Sequence, residues 1–199
     1  MDSIRRLKTV TLSLLAALAI VGALGGALAP AKGGAQEGAA TKLAFDVAED
    51  MSRFVFDADV AHEDGMPKHG SAFITQGYIY PAGTLTESNG VREDGSPEFP
   101  DKVLGEWTCR GWFVGEGAHA KTGPMVITTQ LYNFGETLGA ELLVSEGYEL
   151  ADVGVAIQRA ITGGTGKYAG AYGQANQTFL GFNATEGVNL RFEIDVETR

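Results

Sequence analysis

The sequence predicts an all-β domain of about eight short antiparallel strands. Three observations carry this. Beyond the N-terminal apolar run, hydrophobic and polar side chains alternate with the period of a strand, and no stretch sustains a helical period. Turn pairs recur between these segments at roughly 8–12-residue intervals, the spacing of a sandwich or barrel. The chain also combines 28 glycines with 44% hydrophobic and only 20% charged residues, which excludes a disordered acidic chain and suits strands joined by tight turns. At 199 residues it has a one-domain length, enough for a full hydrophobic core.

Met1–Ala31 reads as an export signal outside the fold. Arg5, Arg6 and Lys8 form a basic start, Leu12–Leu28 an apolar run, and Ala29-Pro30-Ala31 a small-residue cleavage site. Cleavage after Ala35 is an alternative, as is an uncleaved anchor, since the run nears the roughly 20 residues that span a bilayer. The expected location is secreted or periplasmic, and the alanine- and glycine-rich leader suits a bacterial precursor. Residues 32–42 then read as a linker and 43–199 as a single domain. Cys109 is the only cysteine, so no internal disulfide is available and stability must come from packing. A formal charge of −10 argues against nucleic acid as a partner and against binding of the mature domain to anionic membranes.

Along the domain, Phe54, Phe56, Ala58 and Val60 alternate with Val55, Asp57, Asp59 and Ala61, a strand period that puts the two aspartates on one face. His62–His69 is a polar turn around Gly65 and Pro67, and Phe73–Tyr80 a second strand. Thr84–Lys102 carries the turn pairs Asn89-Gly90 and Asp94-Gly95; as the longest irregular segment it is expected to be a lid or rim. Glu106–Val114 follows, with Trp107, Cys109 and Phe113 on one face and Arg110 and Trp112 on the other. Met125–Phe134, Glu141–Leu150 and Val155–Thr162 lead into Ala160–Gln174, AITGGTGKYAGAYGQ, where a tight turn is expected at Gly163-Gly164 and a return strand over Gln174–Phe182. In the last segment Val188, Leu190, Phe192, Ile194 and Val196 alternate strictly with polar residues, so one face is core and the other water.

The glycine-rich stretch binds neither phosphate nor dinucleotide. Gly166-Lys167 is followed by Tyr168 where a P-loop needs a metal-binding hydroxyl, and Gly164, Gly166 and Gly170 are spaced GxGxxxG rather than GxGxxG. His62, Glu63, Asp64, His69 and His119 lack the spacing of a zinc site, so no metal is expected. There is no GxSxG elbow, and Cys109 has no evident histidine partner. No cofactor is implied. Asp57 and Asp59 leave two options: pointing inward they would raise each other's pKa, and pointing outward they are solvation.

The stretch AITGGTGKYAGAYGQ resembles the AITGG(S/T/A)GxFxGAYGQ segment of plant allene oxide cyclases and, more loosely, the GGTGxFxxAxG segment of plant dirigent proteins. That resemblance implies a small antiparallel eight-stranded β-barrel enclosing a hydrophobic cavity, and closure removes the exposed edges that short strands would otherwise carry. On it, Gly163, Gly164, Gly166, Gly170 and Gly173 form a structural glycine motif. Phe56-Asp57-Ala58-Asp59 leading to Pro67 is similar to the family's YEINERDRGSP segment, which implies Asp57 and Asp59 on the cavity floor and Pro67 at its wall. Val144–Tyr148 is similar to VQGPYL and Tyr132–Gly135 to FYFG, which implies Tyr148 and Tyr132 facing the cavity. Cys109 would be a soft wall contact, although it misses the register of the family's CVLIQ strand, and the family's FTNKLY segment has no counterpart near Gly77–Gly83. The function implied is templating: the barrel holds a small hydrophobic ligand and steers a cofactor-free isomerisation or cyclisation, with Asp57, Asp59 and Tyr148 as catalytic candidates. The alternative from the residues is a non-catalytic exported barrel, a ligand-binding or homo-oligomeric module, so whether the chain is an enzyme stays open.

Overall fold

In the computed structural model, which describes residues 40–86 and 88–199, eight strands close into one antiparallel barrel. The stretch 1–31 read as an export signal and residues 32–39 of the expected linker lie outside the described residues. The strands are β1 (Thr41–Phe56), β2 (Ala72–Pro81), β3 (Gly105–Phe113), β4 (Pro124–Phe134), β5 (Leu142–Leu150), β6 (Ala156–Gly164), β7 (Tyr172–Phe182) and β8 (Val188–Glu197). Each pairs with its sequence neighbours, and β1 closes the ring against β8, from Thr41↔Val196 to Ala48↔Asn189. No helix among the described residues is long and apolar enough to cross a membrane.

The strands alternate as the residue pattern requires. On β8, Leu190, Phe192, Ile194 and Val196 are buried inside the barrel. On β3, Trp107, Cys109 and Phe113 face in while Arg110 and Trp112 face water. The main departure is β1, which begins at Thr41 and ends at Phe56, well before the strand read through Val60. Asp46, Glu49 and Asp50 interrupt the apolar pattern in its middle, yet all three are buried. A bulge between Asp50 and Val55 resets the pairing with β2.

Inside, the barrel has three levels. One end is plugged by rings: Phe45 packs on Tyr132 at 5.1 Å and on Phe192 at 5.2 Å between centroids, and Tyr132 on Phe192 at 4.9 Å. Tyr168, from the connection between β6 and β7, packs on Phe134 at this end. A buried polar layer crosses the middle. The opposite end, built from the C-terminal halves of β1, β3, β5 and β7 and the N-terminal halves of β2, β4 and β8, is hollow.

The long segment 84–103 is a cladding on the outer wall rather than a lid over the hollow. Leu85 and Val91 are buried against Ala48 and Tyr80 in a second small core. Tyr80 donates to the Gly90 carbonyl at 2.6 Å, and Leu85 N–H donates to Asp46 Oδ2 at 2.9 Å. Asp46 also accepts both Nε and Nη2 of Arg191. The outward faces of β1 and β2 carry residues that need covering, and this segment covers them.

Candidate active site

The hollow end holds a cavity of about 490 Å³. Its walls are Phe54, Phe73, Phe113 and Phe182 with Met51, Met66 and Met125, and its floor includes Trp107, Cys109 and Thr75. The exposed Glu186 stands at the edge of this apolar space, and two buried acids face it, Glu49 from β1 and Glu149 from β5. Both are buried, at 5% and 7% exposure, and on alternating strands each shares its face with core residues: Glu49 with Phe45 and Val47, Glu149 with Leu143 and Ser145.

Their surroundings differ. Glu149 sits in a ring of donors: Thr128 Oγ1 at 2.6 Å, Gln130 Nε2 at 2.8 Å and the Cys109 thiol at 3.7 Å on Oε1, and Gln177 Nε2 at 2.8 Å on Oε2. Behind it lies Arg159, with no exposed side-chain area, whose Nη1 is 3.8 Å from Glu149 Oε1. The guanidinium is spent on the wall itself, donating to Ser145 Oγ and to the carbonyls of Tyr148 and Thr128 at 3.1 Å each. The layer extends through Gln130, which accepts from Trp107 Nε1 and the Tyr132 hydroxyl. A buried charge this well supplied with donors and a counter-charge is fixed in place.

Glu49 has much less support. Its Oε2 accepts the Val188 N–H at 2.8 Å. Thr75 Oγ1 stands beside it, close enough to lower its pKa slightly but outside hydrogen-bond geometry, and is buried without a partner. Desolvation dominates, the Glu149 and Asp50 charges add to it, and the Glu49 carboxyl is pushed up to about 7. The cavity therefore presents one carboxyl that exchanges its proton near neutrality. Burial, with the Glu149 charge second, raises the Cys109 thiol well above its ordinary value, so it is a neutral wall contact and not a nucleophile.

The sequence-derived candidates divide. Cys109 and Pro67 line the cavity. Tyr132 is fully buried but lies below it, in the polar layer, bonded to Gln130 and Ser145. Asp57 and Asp59 are exposed outside the barrel, because β1 stops at Phe56 and Asp57 Oδ1 accepts the Asp59 N–H to start a turn. Tyr148 points outward at 48% exposure. It neighbours the inward Glu149, and a one-residue step along a strand reverses the face. None of these three lines the cavity, so the inward positions implied for them are not met; the buried acids that do line it are Glu49 and Glu149. Tyr148 instead joins an outer row with Ile127, Trp112, Ile74 and Val55, which are cross-strand or near neighbours on β1–β5 and are all exposed.

The glycine motif stands at the plugged end, across the barrel from the cavity. β6 runs through Gly163 and Gly164, so the turn falls later than expected, at a 3-10 turn over Gly166–Tyr168. Gly166 adopts φ +59°, and Gly170 follows in the same connection at φ +71°. At Gly173, φ is +142° and a Cβ would strike the Asp195 carbonyl of β8. At the cavity mouth, His62 stacks on His119 at 4.1 Å and His119 Nε2 meets Asp64 Oδ2 at 2.9 Å. No group of three or more metal-ligating side chains converges among the described residues.

Two solved structures share this architecture. One is the pterocarpan synthase dirigent protein PsPTS1, at TM-score 0.57 and 19% identity over 82% of this chain and 97% of that one. The other is the pterocarpan synthase dirigent protein GePTS1, at TM-score 0.57 and 16% identity over 87% of this chain and 98% of that one. The fold is the dirigent barrel. No family model and no curated protein sequence matches the chain. In this dirigent-type barrel, the residues that sequence reasoning missed had a signal. Arg159 shares a face with Ile157 and Ile161 on β6, and Glu149 is two strand periods from Ser145, so both fall on the inward face.

Proposed function

We propose that the domain is an exported barrel that binds a small hydrophobic molecule at its hollow end and guides a cofactor-free isomerisation or cyclisation there. The observation that carries this is Glu49, a carboxyl facing an apolar cavity and poised to exchange its proton near neutral pH. Glu49 would give or take a proton at the bound molecule. Glu149, immobilised by its donors and Arg159, would hold a fixed negative potential and bar its side chain from moving. The aromatic and methionine walls would fold the ligand and exclude water, which sets the stereochemistry of closure. The names of the two solved barrels, synthase and dirigent protein, support a templating role of this class. The cavity volume falls within the roughly 300–1,000 Å³ usual for small-molecule sites.

Titration with 1-aminoanthracene, a neutral fluorescent hydrophobe, tests the binding step. Wild type is expected to bind it at micromolar concentration with enhanced dye fluorescence. Ala118→Trp, which inserts a large ring from the rim turn Gly117–His119, should weaken binding by at least about tenfold while the melting temperature stays close to wild type. Equal binding by both proteins would place the dye elsewhere and remove the cavity as the site.

A further inference from the structure

Resting on the reading of this cavity as the ligand site, we propose that it selects a lipophilic organic cation, a protonated or quaternary amine carried on an apolar or aromatic body, over an anion of the same shape. The lining residues include three carboxylates, Glu49 and Glu149 within and Glu186 at the mouth, and no lysine, arginine or histidine. Arg159 balances Glu149 from behind, but its nitrogens are bonded to Ser145, Tyr148 and Thr128 and it does not line the cavity, so no cationic side chain faces the ligand there and Glu49 and Glu186 keep their charge toward it. An anion would bring its charge into a low-dielectric space already bounded by acids and would find no cationic partner. A cation would meet the carboxylates and the faces of Phe54, Phe73, Trp107, Phe113 and Phe182, the combination that recognises organic ammonium groups.

Two further features place polar groups along the cavity. Thr75 Oγ1, on a residue only 1% exposed, lines the cavity floor beside the Glu49 carboxyl. Glu186 holds φ +67°, the only non-glycine residue with positive φ among the described residues, in the turn that carries it to the mouth. That turn, closed by the Glu186 N–H on the Asn183 carbonyl, keeps an acid at the entrance.

Cation binding also ties affinity to pH. A bound positive charge favours ionised Glu49, so affinity should rise as pH rises through about 7. The other charged groups around Glu49 are Asp50 on β1, Glu149 with Arg159 behind it, and Glu186, while Cys109 stays neutral. His62 and His119 stack near the rim, so the slope must be assigned by substitution.

Calorimetry with three probes of one shape tests this: 4-phenylbutyltrimethylammonium, 4-phenylbutanol and 4-phenylbutanesulfonate. At pH 8 the cation should bind about tenfold or more tighter than the alcohol, and the sulfonate should bind more weakly than either. Cation affinity should fall about fivefold to tenfold from pH 8 to pH 6, and Glu49→Gln should remove both that slope and most of the preference for the cation over the alcohol. Glu186→Gln, at an exposed turn, should cost the cation about twofold to threefold and serves as a second variant. Alcohol and sulfonate binding equal to that of the cation would overturn the charge selection and leave the cavity reading standing. Failure of all three to bind would overturn both.

Discussion

Glu49 is the residue on which the chemistry turns, and its pKa is also a statement about stability. The carboxyl is raised from 4.5 to about 7 in the fold. Between those values the native state keeps a proton that the unfolded chain has released, so stability falls as pH rises through that window. The fall amounts to about 3 kcal/mol in all, and the curve is flat in this respect above pH 7. Glu49→Gln removes the desolvated charge. Urea unfolding at pH 5 and pH 8 should therefore show the variant gaining on wild type at the higher pH, by about 2–3 kcal/mol relative to their difference at pH 5. A difference that does not change with pH would mean that Glu49 is hydrated in the native state. Residue by residue, the site was only partly legible in the sequence. Cys109 and Pro67 could be placed at the cavity from a resemblance, but Asp57, Asp59 and Tyr148 could not. Acidic residues on the buried half of β1 break the hydrophobic pattern that marks an inward face, so Glu49 was hidden by the property that makes it functional.

Among the elements, the connection between β6 and β7 shows how sequence marks architecture instead of chemistry. The glycines of AITGGTGKYAGAYGQ let two strands and a 3-10 turn close the plugged end, with Tyr168 driven into the core. Gly173 combines positive φ with a backbone approach to Asp195, as Gly166 does with Ala140. Gly173→Ala should lower the melting temperature by about 10 °C or more, or prevent folding, while Gly163→Ala, with open space around its Cβ position, should stay within a few degrees of wild type. Similar losses for the two would remove the role assigned to the β7–β8 approach. The strand pattern itself was readable almost throughout, because alternation on β3 and β8 is clean. The segment 84–103 was not, since its few apolar anchors, Leu85 and Val91, are scattered among turn residues and nothing local says which surface they cover.

At the scale of the whole molecule, a single closed sheet divides its interior by height: rings at one end, a hydrogen-bonded layer around Gln130, Gln177 and Arg159 in the middle, and an open apolar chamber at the other. The middle layer is what allows two acids to face hydrocarbon, because it fixes Glu149 and leaves Glu49 to titrate. Export, oligomeric state and the chemistry of the ligand lie beyond what strand alternation encodes, since none of them changes which face of a strand is buried. The most direct test is carbon NMR of the glutamate carboxyls, with Glu49→Gln supplying the assignment, recorded with and without 1-aminoanthracene. The Glu49 resonance should titrate near 7 and move upward when the neutral dye displaces water from the cavity, because further desolvation favours the protonated form. A Glu49 carboxyl that titrates in the ordinary range near about 4.3 and ignores the dye would contradict the account.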